Sequence, residues 1–155
     1  NYELGRPTTK KEMKYLKSLE MEKNAGNAAS TTDDILEHED VAALKKFCMD
    51  KLTEYCKETY NFDTDKVEIY ITASWTNIND NWLGSHWDFN VEEHNWYSSL
   101  TWWLPTPPGK LYLFPSRLEH RVNEVEGKKD RWSLSFNTFM RGEFGEQHQR
   151  TRLVL

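Results

Sequence analysis

The period of the sequence changes at Val67, where the chain reads Val67-Glu68-Ile69-Tyr70-Ile71-Thr72-Ala73-Ser74-Trp75. β-Branched and aromatic residues dominate this run, and their alternation along the chain is typical of a half-buried strand. Further strand-like runs follow at 98–104, 110–114 and 131–139, separated by turn signals rich in Asn, Pro and Gly. The second half of the chain is therefore predicted to be β-structure.

Helical patterns precede these strands. Thr9 and Glu12 have the spacing of a capping box, and small and polar residues at 24–30 predict a loop that ends the first helix. A second amphipathic helix is predicted from an apolar stripe that consists of Val41, Leu44, Phe47, Cys48, Leu52, Tyr55 and Cys56. Helices followed by several short strands favour an α+β fold, in which the helices buttress one face of an antiparallel sandwich or barrel.

The length and composition exclude several classes of protein. With 155 residues and 18.4 kDa, the chain fits a single domain, 1–155, with a helical part at about 8–60 and a β-part at about 66–145. A mean hydropathy of −0.84 and the lack of a long apolar stretch predict no membrane span. The net charge of −5 disfavours a nucleic-acid partner. No pattern predicts the oligomeric state.

The two cysteines, Cys48 and Cys56, both fall in the second helical pattern. A rise of about 1.5 Å per residue separates them by about 12 Å along the helix axis, which is too far for a disulfide. We expect two reduced thiols that pack on the face of the helix. Because no secretory signal is visible either, the pattern predicts a cytoplasmic protein.

Two of the five histidines belong to a pattern that is typical of an iron site. His86 and Asp88 occupy positions i and i+2, so in a strand their side chains point to the same face. His120 follows later in the chain, just after a Pro-Ser turn. A neighbouring histidine and carboxylate with a distant second histidine form the 2-His-1-carboxylate arrangement, which binds Fe(II) and leaves coordination positions open.

A strand with one polar face lies downstream of His120. Alternation along 131–137 places Arg131, Ser133, Ser135 and Asn137 on one face and apolar side chains on the other. The planar guanidinium of Arg131 can pair with a carboxylate through two hydrogen bonds, and the Ser133 hydroxyl can donate a further one. This face is therefore suited to a carboxylate pocket.

The motifs His86-x-Asp88, His120 and Arg131-x-Ser133 together resemble the signature of Fe(II)- and 2-oxoglutarate-dependent oxygenases. The sequence around these motifs is similar to that of the 2-oxoglutarate-Fe(II) oxygenases of cyanophages and marine bacteria. The segments that carry this second resemblance are 70–75, 98–99, 111–116 and 131–139.

The resemblance implies a double-stranded β-helix, also called a jelly roll or cupin-like fold, with N-terminal buttressing helices. It implies that His86, Asp88 and His120 bind Fe(II). It further implies that Arg131 grips the distal carboxylate of 2-oxoglutarate and that Ser133 assists it. The expected activity is that of a dioxygenase that hydroxylates its substrate and releases succinate and CO2.

The partners expected from this resemblance are dioxygen, the cosubstrate 2-oxoglutarate, and a small-molecule or peptidyl substrate. Neither the fold nor the motifs select among substrates. The expected location is the cytoplasm, which would be that of an infected host cell for a phage protein.

Other interpretations of the metal-site residues stay open. His86 and Asp88 could form a hydrogen-bonded pair at the surface, and His120 could cap or pack after the turn. His94, which follows two glutamates, is an alternative ligand, although a solvated loop residue is the simpler interpretation.

Other interpretations of the function stay open as well. Arg131 could form a structural salt bridge with Glu119 or Asp130. The chain could be a metal-binding cupin that uses no 2-oxoglutarate, or a non-enzymatic binding module rich in tryptophan. Six of its seven tryptophans fall between Trp75 and Trp103, and in an oxygenase we expect some of them to wall the pocket.

Overall fold

The computed structural model describes residues 5–24, 27–79, 105–116, 118, 130–145 and 153–154. In these residues the elements follow in the order α1 (Lys10–Ser18), β1 (Met21–Lys23), β2 (Ala28–Ser30), the 3-10 turns Ile35–Glu37 and Glu39–Val41, α2 (Ala42–Tyr60), β3 (Val67–Asn79), β4 (Arg131–Phe144) and β5 (Leu153–Val154). The strands form one antiparallel sheet in the order β1-β2-β3-β4-β5. Helices and an antiparallel sheet confirm the predicted α+β class.

Helix α1 begins with the predicted capping box. The Thr9 hydroxyl accepts a hydrogen bond from the Glu12 N–H at 3.2 Å, and the Glu12 carboxylate accepts one from the Thr9 N–H at 2.7 Å. The Arg6 guanidinium donates two more to this carboxylate, at 2.6 and 3.1 Å. Glu12 is only 2% exposed, and burial alone would raise its pKa. The hydrogen bonds from Arg6 and Thr9 and the charge of Arg6 outweigh burial, so the pKa of Glu12 is lowered.

The core is built around the two 3-10 turns. Their residues Ile35, Leu36 and Val41 are almost completely buried, and the apolar stripe of α2 adds Cys48, Leu52 and Cys56. Both turns contact α2, and the first turn, Ile35–Glu37, also contacts β3. The amphipathic face of α2 is thus confirmed, and the helix reaches the sheet by way of these turns.

A β-hairpin replaces part of the loop predicted at 24–30. Strand β1 pairs with β2, and β2 pairs in turn with β3 through Ala28 and Ala29. Each hairpin strand has only three residues, and alanine has a low intrinsic preference for strands. The hairpin is therefore defined by its pairing with β3 rather than by a local pattern.

Strands β3 and β4 form the longest ladder, which runs from the Val67–Gly142 pair to the Asn79–Arg131 pair. The strands predicted at 67–75 and 131–139 are confirmed, and each extends further along the chain. Gly142 has a φ of 134°, a value that residues with a side chain rarely adopt. A Cβ atom there would lie 2.1 Å from the Lys66 carbonyl oxygen, so the close approach of β4 to this turn requires glycine.

A β-bulge interrupts the alternation of β3. The register shifts between Ile71 and Ala73, so Thr72 is an extra residue without its own partner on β4. Strict alternation would place Trp75 on the same face as Ile71. The bulge places Ser74 there instead and turns Trp75 to the opposite face.

The prediction of a strand at 110–114 is wrong. Lys110 forms an isolated bridge with Gly5, and 111–115 have no regular secondary structure. The Gly109 carbonyl accepts a hydrogen bond from the Arg6 N–H at 2.8 Å, which ties this segment to the chain just before α1. Prolines at 105, 107, 108 and 115 flank the segment and have no N–H to donate to a ladder.

Both cysteines are buried free thiols, as predicted. Burial raises the pKa of the Cys48 thiol to about 11. Burial also raises the pKa of the Cys56 thiol. These shifts are expected for thiols that pack in a core and carry no chemistry.

Within the described ranges, no helix has both the length and the apolar character needed to span a bilayer. The strand predicted at 98–104 lies outside these ranges. The described sheet therefore does not test whether the strands close into a double-stranded β-helix, and the jelly roll stays a prediction.

Candidate functional site

The candidate site lies on one face of the β3–β4 ladder. The register pairs Ser133 with Asn77 and Ser135 with Trp75, so these side chains share a face with Arg131. We call this surface, formed by Arg131, Ser133, Ser135, Asn77 and Trp75, the polar face. The even-numbered residues of β4 share the other face with the buried side chains of β3. The grouping of Arg131 with Ser133 and Ser135 agrees with the predicted alternation.

Arg131 is half-buried at the beginning of β4. Its Nη2 atom donates a hydrogen bond to Thr106 Oγ1 at 3.2 Å. Its Nη1 atom is buried and has no hydrogen-bond partner in the part of the chain that the structure describes. A buried guanidinium nitrogen without an acceptor is costly, so a bound oxygen-rich anion would stabilise this arrangement.

The alternative salt bridge of Arg131 is tested in part. Asp130 forms no ion pair with Arg131 in the structure, although the two residues are adjacent. Glu119 lies outside the described residues. The observed partner, Thr106, is a neutral hydroxyl, so no contact among the described residues neutralises the positive charge of Arg131.

A row of side-chain amides leads to the polar face from the β1–β2 hairpin. Asn24 Nδ2 donates to Asn27 Oδ1 at 3.3 Å, and Asn27 Nδ2 donates to Asn77 Oδ1 at 3.1 Å. Asn77 Nδ2 then donates to Ser135 Oγ at 3.4 Å. We call these four residues the amide chain. No sequence pattern indicates Asn77 or Thr106 as site residues, because their contacts depend on segments that are far apart in the chain.

The described tryptophans fall on different faces of the sheet. Trp75 is half-buried on the polar face, whereas Trp132 is half-buried on the opposite face. Trp75 is therefore positioned to wall a pocket on the polar face. The other tryptophans of the cluster lie outside the described residues: Trp82, Trp87, Trp96, Trp102 and Trp103.

The predicted iron ligands His86, Asp88 and His120 also lie outside the described residues, as does the alternative ligand His94. Within the described part of the chain, no group of three or more His, Cys, Asp or Glu side chains is arranged to hold a metal ion. The structure therefore leaves the ligand assignment as a prediction.

His38 is exposed, as expected from the sequence, but it has a structural role. Its Nδ1 atom accepts a hydrogen bond from the Asp40 N–H at 3.1 Å and caps the second 3-10 turn. Its ring stacks on Tyr15 with centroids 4.0 Å apart. This histidine is a packing residue and lies outside the candidate site.

A comparison with family models gives one match. Residues 70–137 match the family described as "Putative 2OG-Fe(II) oxygenase". The matched segment is a little under half of the chain, and it contains the His86-x-Asp88, His120 and Arg131-x-Ser133 motifs. It supports an oxidoreductase of the 2-oxoglutarate-Fe(II) oxygenase kind, and the family's name implies Fe(II) and 2-oxoglutarate. No curated protein and no solved structure matches the chain.

Proposed function

We propose that this protein is an Fe(II)- and 2-oxoglutarate-dependent dioxygenase that hydroxylates its substrate and releases succinate and CO2. The observation that carries the proposal is the buried Nη1 atom of Arg131 on the polar face, which has no hydrogen-bond partner among the described residues and lies inside the segment that matches the oxygenase family. A cupin that uses no 2-oxoglutarate would have no need for a cation in this position.

The polar face fits the distal carboxylate of 2-oxoglutarate. Arg131 supplies a delocalised positive charge, and no described residue accepts a hydrogen bond from its Nη1 atom. Ser133 lies two residues along the same face and adds a hydroxyl donor. Trp75 on this face would limit the access of water, which strengthens each of these electrostatic contacts.

The Fe(II) ion would be held by His86, Asp88 and His120, and His94 remains the alternative ligand. When bound, the metal supplies oxygen activation and the oxidation of the substrate, while the protein supplies orientation and a cavity with little water. If this segment is extended, the His-x-Asp spacing would present an imidazole and a carboxylate on the same side.

The proposal also includes the features that the sequence resemblance implies. The fold would be a double-stranded β-helix that extends the described sheet, in a single domain over 1–155. The location would be the cytoplasm, and the protein would be similar to those of cyanophages and marine bacteria. The substrate would be a small molecule or a peptidyl side chain.

The experiment is an anaerobic titration of the apoprotein with Fe(II) and then 2-oxoglutarate, followed by visible absorption. We expect a metal-to-ligand charge-transfer band in the wild-type protein. His86→Ala should lose the band while its thermal unfolding stays cooperative. The matched control His38→Ala removes an exposed histidine outside the site and should keep the band.

The same titration separates the alternatives. Arg131→Ala should retain metal binding but require about tenfold to a hundredfold more 2-oxoglutarate, because a charge-assisted hydrogen bond is lost. Metal binding without any affinity for 2-oxoglutarate would instead indicate the cupin. Binding of a glycan or peptide that persists in chelator would indicate the tryptophan-rich module. An unchanged band in His86→Ala would refute the ligand assignment.

The substrate class can be screened by the release of succinate from 2-oxoglutarate. Free amino acids, peptides and nucleosides would be offered separately to the Fe(II)-loaded protein. Stimulation by peptides would support a peptidyl substrate, and stimulation by free amino acids or nucleosides would support a small-molecule substrate. A lack of stimulation by all three would count against both.

A further inference from the structure

We propose that the Ser135 hydroxyl is a further binding group for 2-oxoglutarate, oriented by the amide chain, and that it donates to the oxo-acid end of the molecule. Asn77 then acts as a positioning residue. The inference rests on the proposed function, because it assigns a second contact to the same cosubstrate.

The amide chain has one direction. Each amide nitrogen donates to the next oxygen, from Asn24 through Asn27 and Asn77 to Ser135 Oγ. In this arrangement both amides that lie inside the amide chain use their oxygen as acceptor and their nitrogen as donor. Successive bonds of this kind polarise one another in the same sense.

This direction determines what the Ser135 hydroxyl can offer. Its oxygen accepts from Asn77, and among the described residues no acceptor is assigned to the hydrogen of this hydroxyl. A hydroxyl that accepts one hydrogen bond becomes a better donor of the next. Ser135 therefore presents a donor to the polar face, as Arg131 and Ser133 do.

The spacing along β4 suits the two ends of one ligand. Ser133 and Ser135 lie on the same face, and two residues of a strand advance by about 6.6 Å. This advance is comparable with the span between the two carboxylates of a five-carbon oxo acid. If Arg131 and Ser133 hold the distal carboxylate, Ser135 lies near the C1 carboxylate and the keto oxygen.

Three segments of the chain would then contribute to a single pocket. Strand β4 supplies Arg131, Ser133 and Ser135, strand β3 supplies Asn77, and the hairpin supplies Asn27. The hairpin thereby acquires a role in ligand recognition that its short strands do not suggest. Asn77 and Asn27 act through Ser135 and need not touch the ligand.

The test compares two 2-oxo acids in the anaerobic Fe(II) titration. 2-Oxoglutarate has both carboxylates, and 2-oxobutyrate has only the oxo-acid end. We expect Ser135→Ala to raise the dissociation constants of both compounds by about tenfold, because each loses the same hydrogen bond. Arg131→Ala should weaken only 2-oxoglutarate. Ser135→Thr keeps the hydroxyl and should restore most of the affinity for both.

The role of Asn77 is tested by non-additivity. Asn77→Ala should weaken 2-oxoglutarate by about threefold, and the double variant Asn77→Ala/Ser135→Ala should bind no more weakly than Ser135→Ala alone. The control Thr138→Ala removes an exposed hydroxyl from the other face of β4 and should leave both affinities unchanged. Thermal unfolding of each variant verifies that it is folded.

Each outcome decides between the two proposals. If the wild-type protein binds no 2-oxoglutarate, the proposed function fails and this inference fails with it. If the wild-type protein binds it and folded Ser135→Ala binds it equally well, the inference alone is overturned. The inference would also be overturned if Ser135→Ala weakened the binding of 2-oxoglutarate but not that of 2-oxobutyrate, because Ser135 would then bind the distal carboxylate.

Discussion

Ser74 and Thr76 carry two buried hydroxyl groups on one face of β3, and we expect their removal to have opposite effects on stability. Each residue is only 1% exposed. Ser74 Oγ accepts a hydrogen bond from the Leu36 N–H at 2.9 Å. Thr76 Oγ1 has no hydrogen-bond partner among the residues that the structure describes. The two positions therefore separate the effect of burying a hydroxyl from the effect of bonding it.

The magnitudes follow from these environments. In Ser74→Ala the N–H of Leu36, a residue that is 1% exposed, loses its acceptor and cannot reach water. An unsatisfied buried donor lowers the free energy of unfolding by about 1–3 kcal/mol. Thr76→Val keeps the shape of the side chain and removes a desolvated, unbonded hydroxyl, so it should raise the free energy of unfolding by about 1 kcal/mol.

The assay is equilibrium unfolding in urea, followed by the fluorescence of the tryptophans. With a slope of about 2 kcal/mol per molar urea, the midpoints of the two variants should differ by about 1–2 M. The slopes should not change, because neither variant alters the surface exposed on unfolding. The control Thr138→Ala removes an exposed hydroxyl of β4 and should stay within about 0.5 kcal/mol of the wild-type protein.

The reasoning would be refuted if both variants lowered the midpoint by similar amounts. The effect on the free energy of unfolding would then not depend on whether the buried hydroxyl forms a hydrogen bond. A stabilised Ser74→Ala would contradict it equally, because the Leu36 N–H would have to find another acceptor in the core.

Four further predictions concern the scaffold. Gly142→Ala should lower the free energy of unfolding, measured by thermal unfolding, by about 3 kcal/mol or more. The added Cβ would lie 2.1 Å from the Lys66 carbonyl oxygen, and the backbone φ there is 134°. Arg6→Met should cost about 3 kcal/mol at neutral pH, because it leaves the buried Glu12 carboxylate without its cation. The pKa of Glu12 is lowered from 4.5, so the ionised carboxylate stabilises the folded protein above that pH, and this stabilisation is lost as the pH falls through the folded pKa. The free energy of unfolding should therefore fall less steeply with decreasing pH in Glu12→Gln than in the wild-type protein. The Cys48 thiol, whose pKa burial raises to about 11, should react with a thiol reagent only after denaturation, and rapid reaction in the native protein would contradict this.

Local patterns predicted the elements whose signal is contained within a few residues. The capping box of Thr9 and Glu12 needs one helical turn, and it occurs as predicted. The switch of period at Val67 marks the beginning of β3, because the alternation of a strand is a local property of the backbone. The prediction of a strand at 110–114 was wrong because an alternating pattern alone does not supply a partner strand.

The candidate site was predicted in its chemistry but not in its surroundings. Arg131 and Ser133 share a face because they are two residues apart in one strand, which the sequence shows directly. Thr106 and Asn77 contact this strand from distant parts of the chain. No spacing in the sequence could have indicated them, since the pairing of strands depends on the packing of the whole sheet.

The sequence by itself determined the helices, the two long strands and the polar face of β4, because backbone periodicity makes nearby residues share a face. Only the tertiary structure decided which residues complete that face. The bulge at Thr72 turns Trp75 away from the core, and the β1–β2 hairpin brings Asn27 to Asn77. Both depend on the register between strands, and that register is set by long-range pairing and burial rather than by any local pattern.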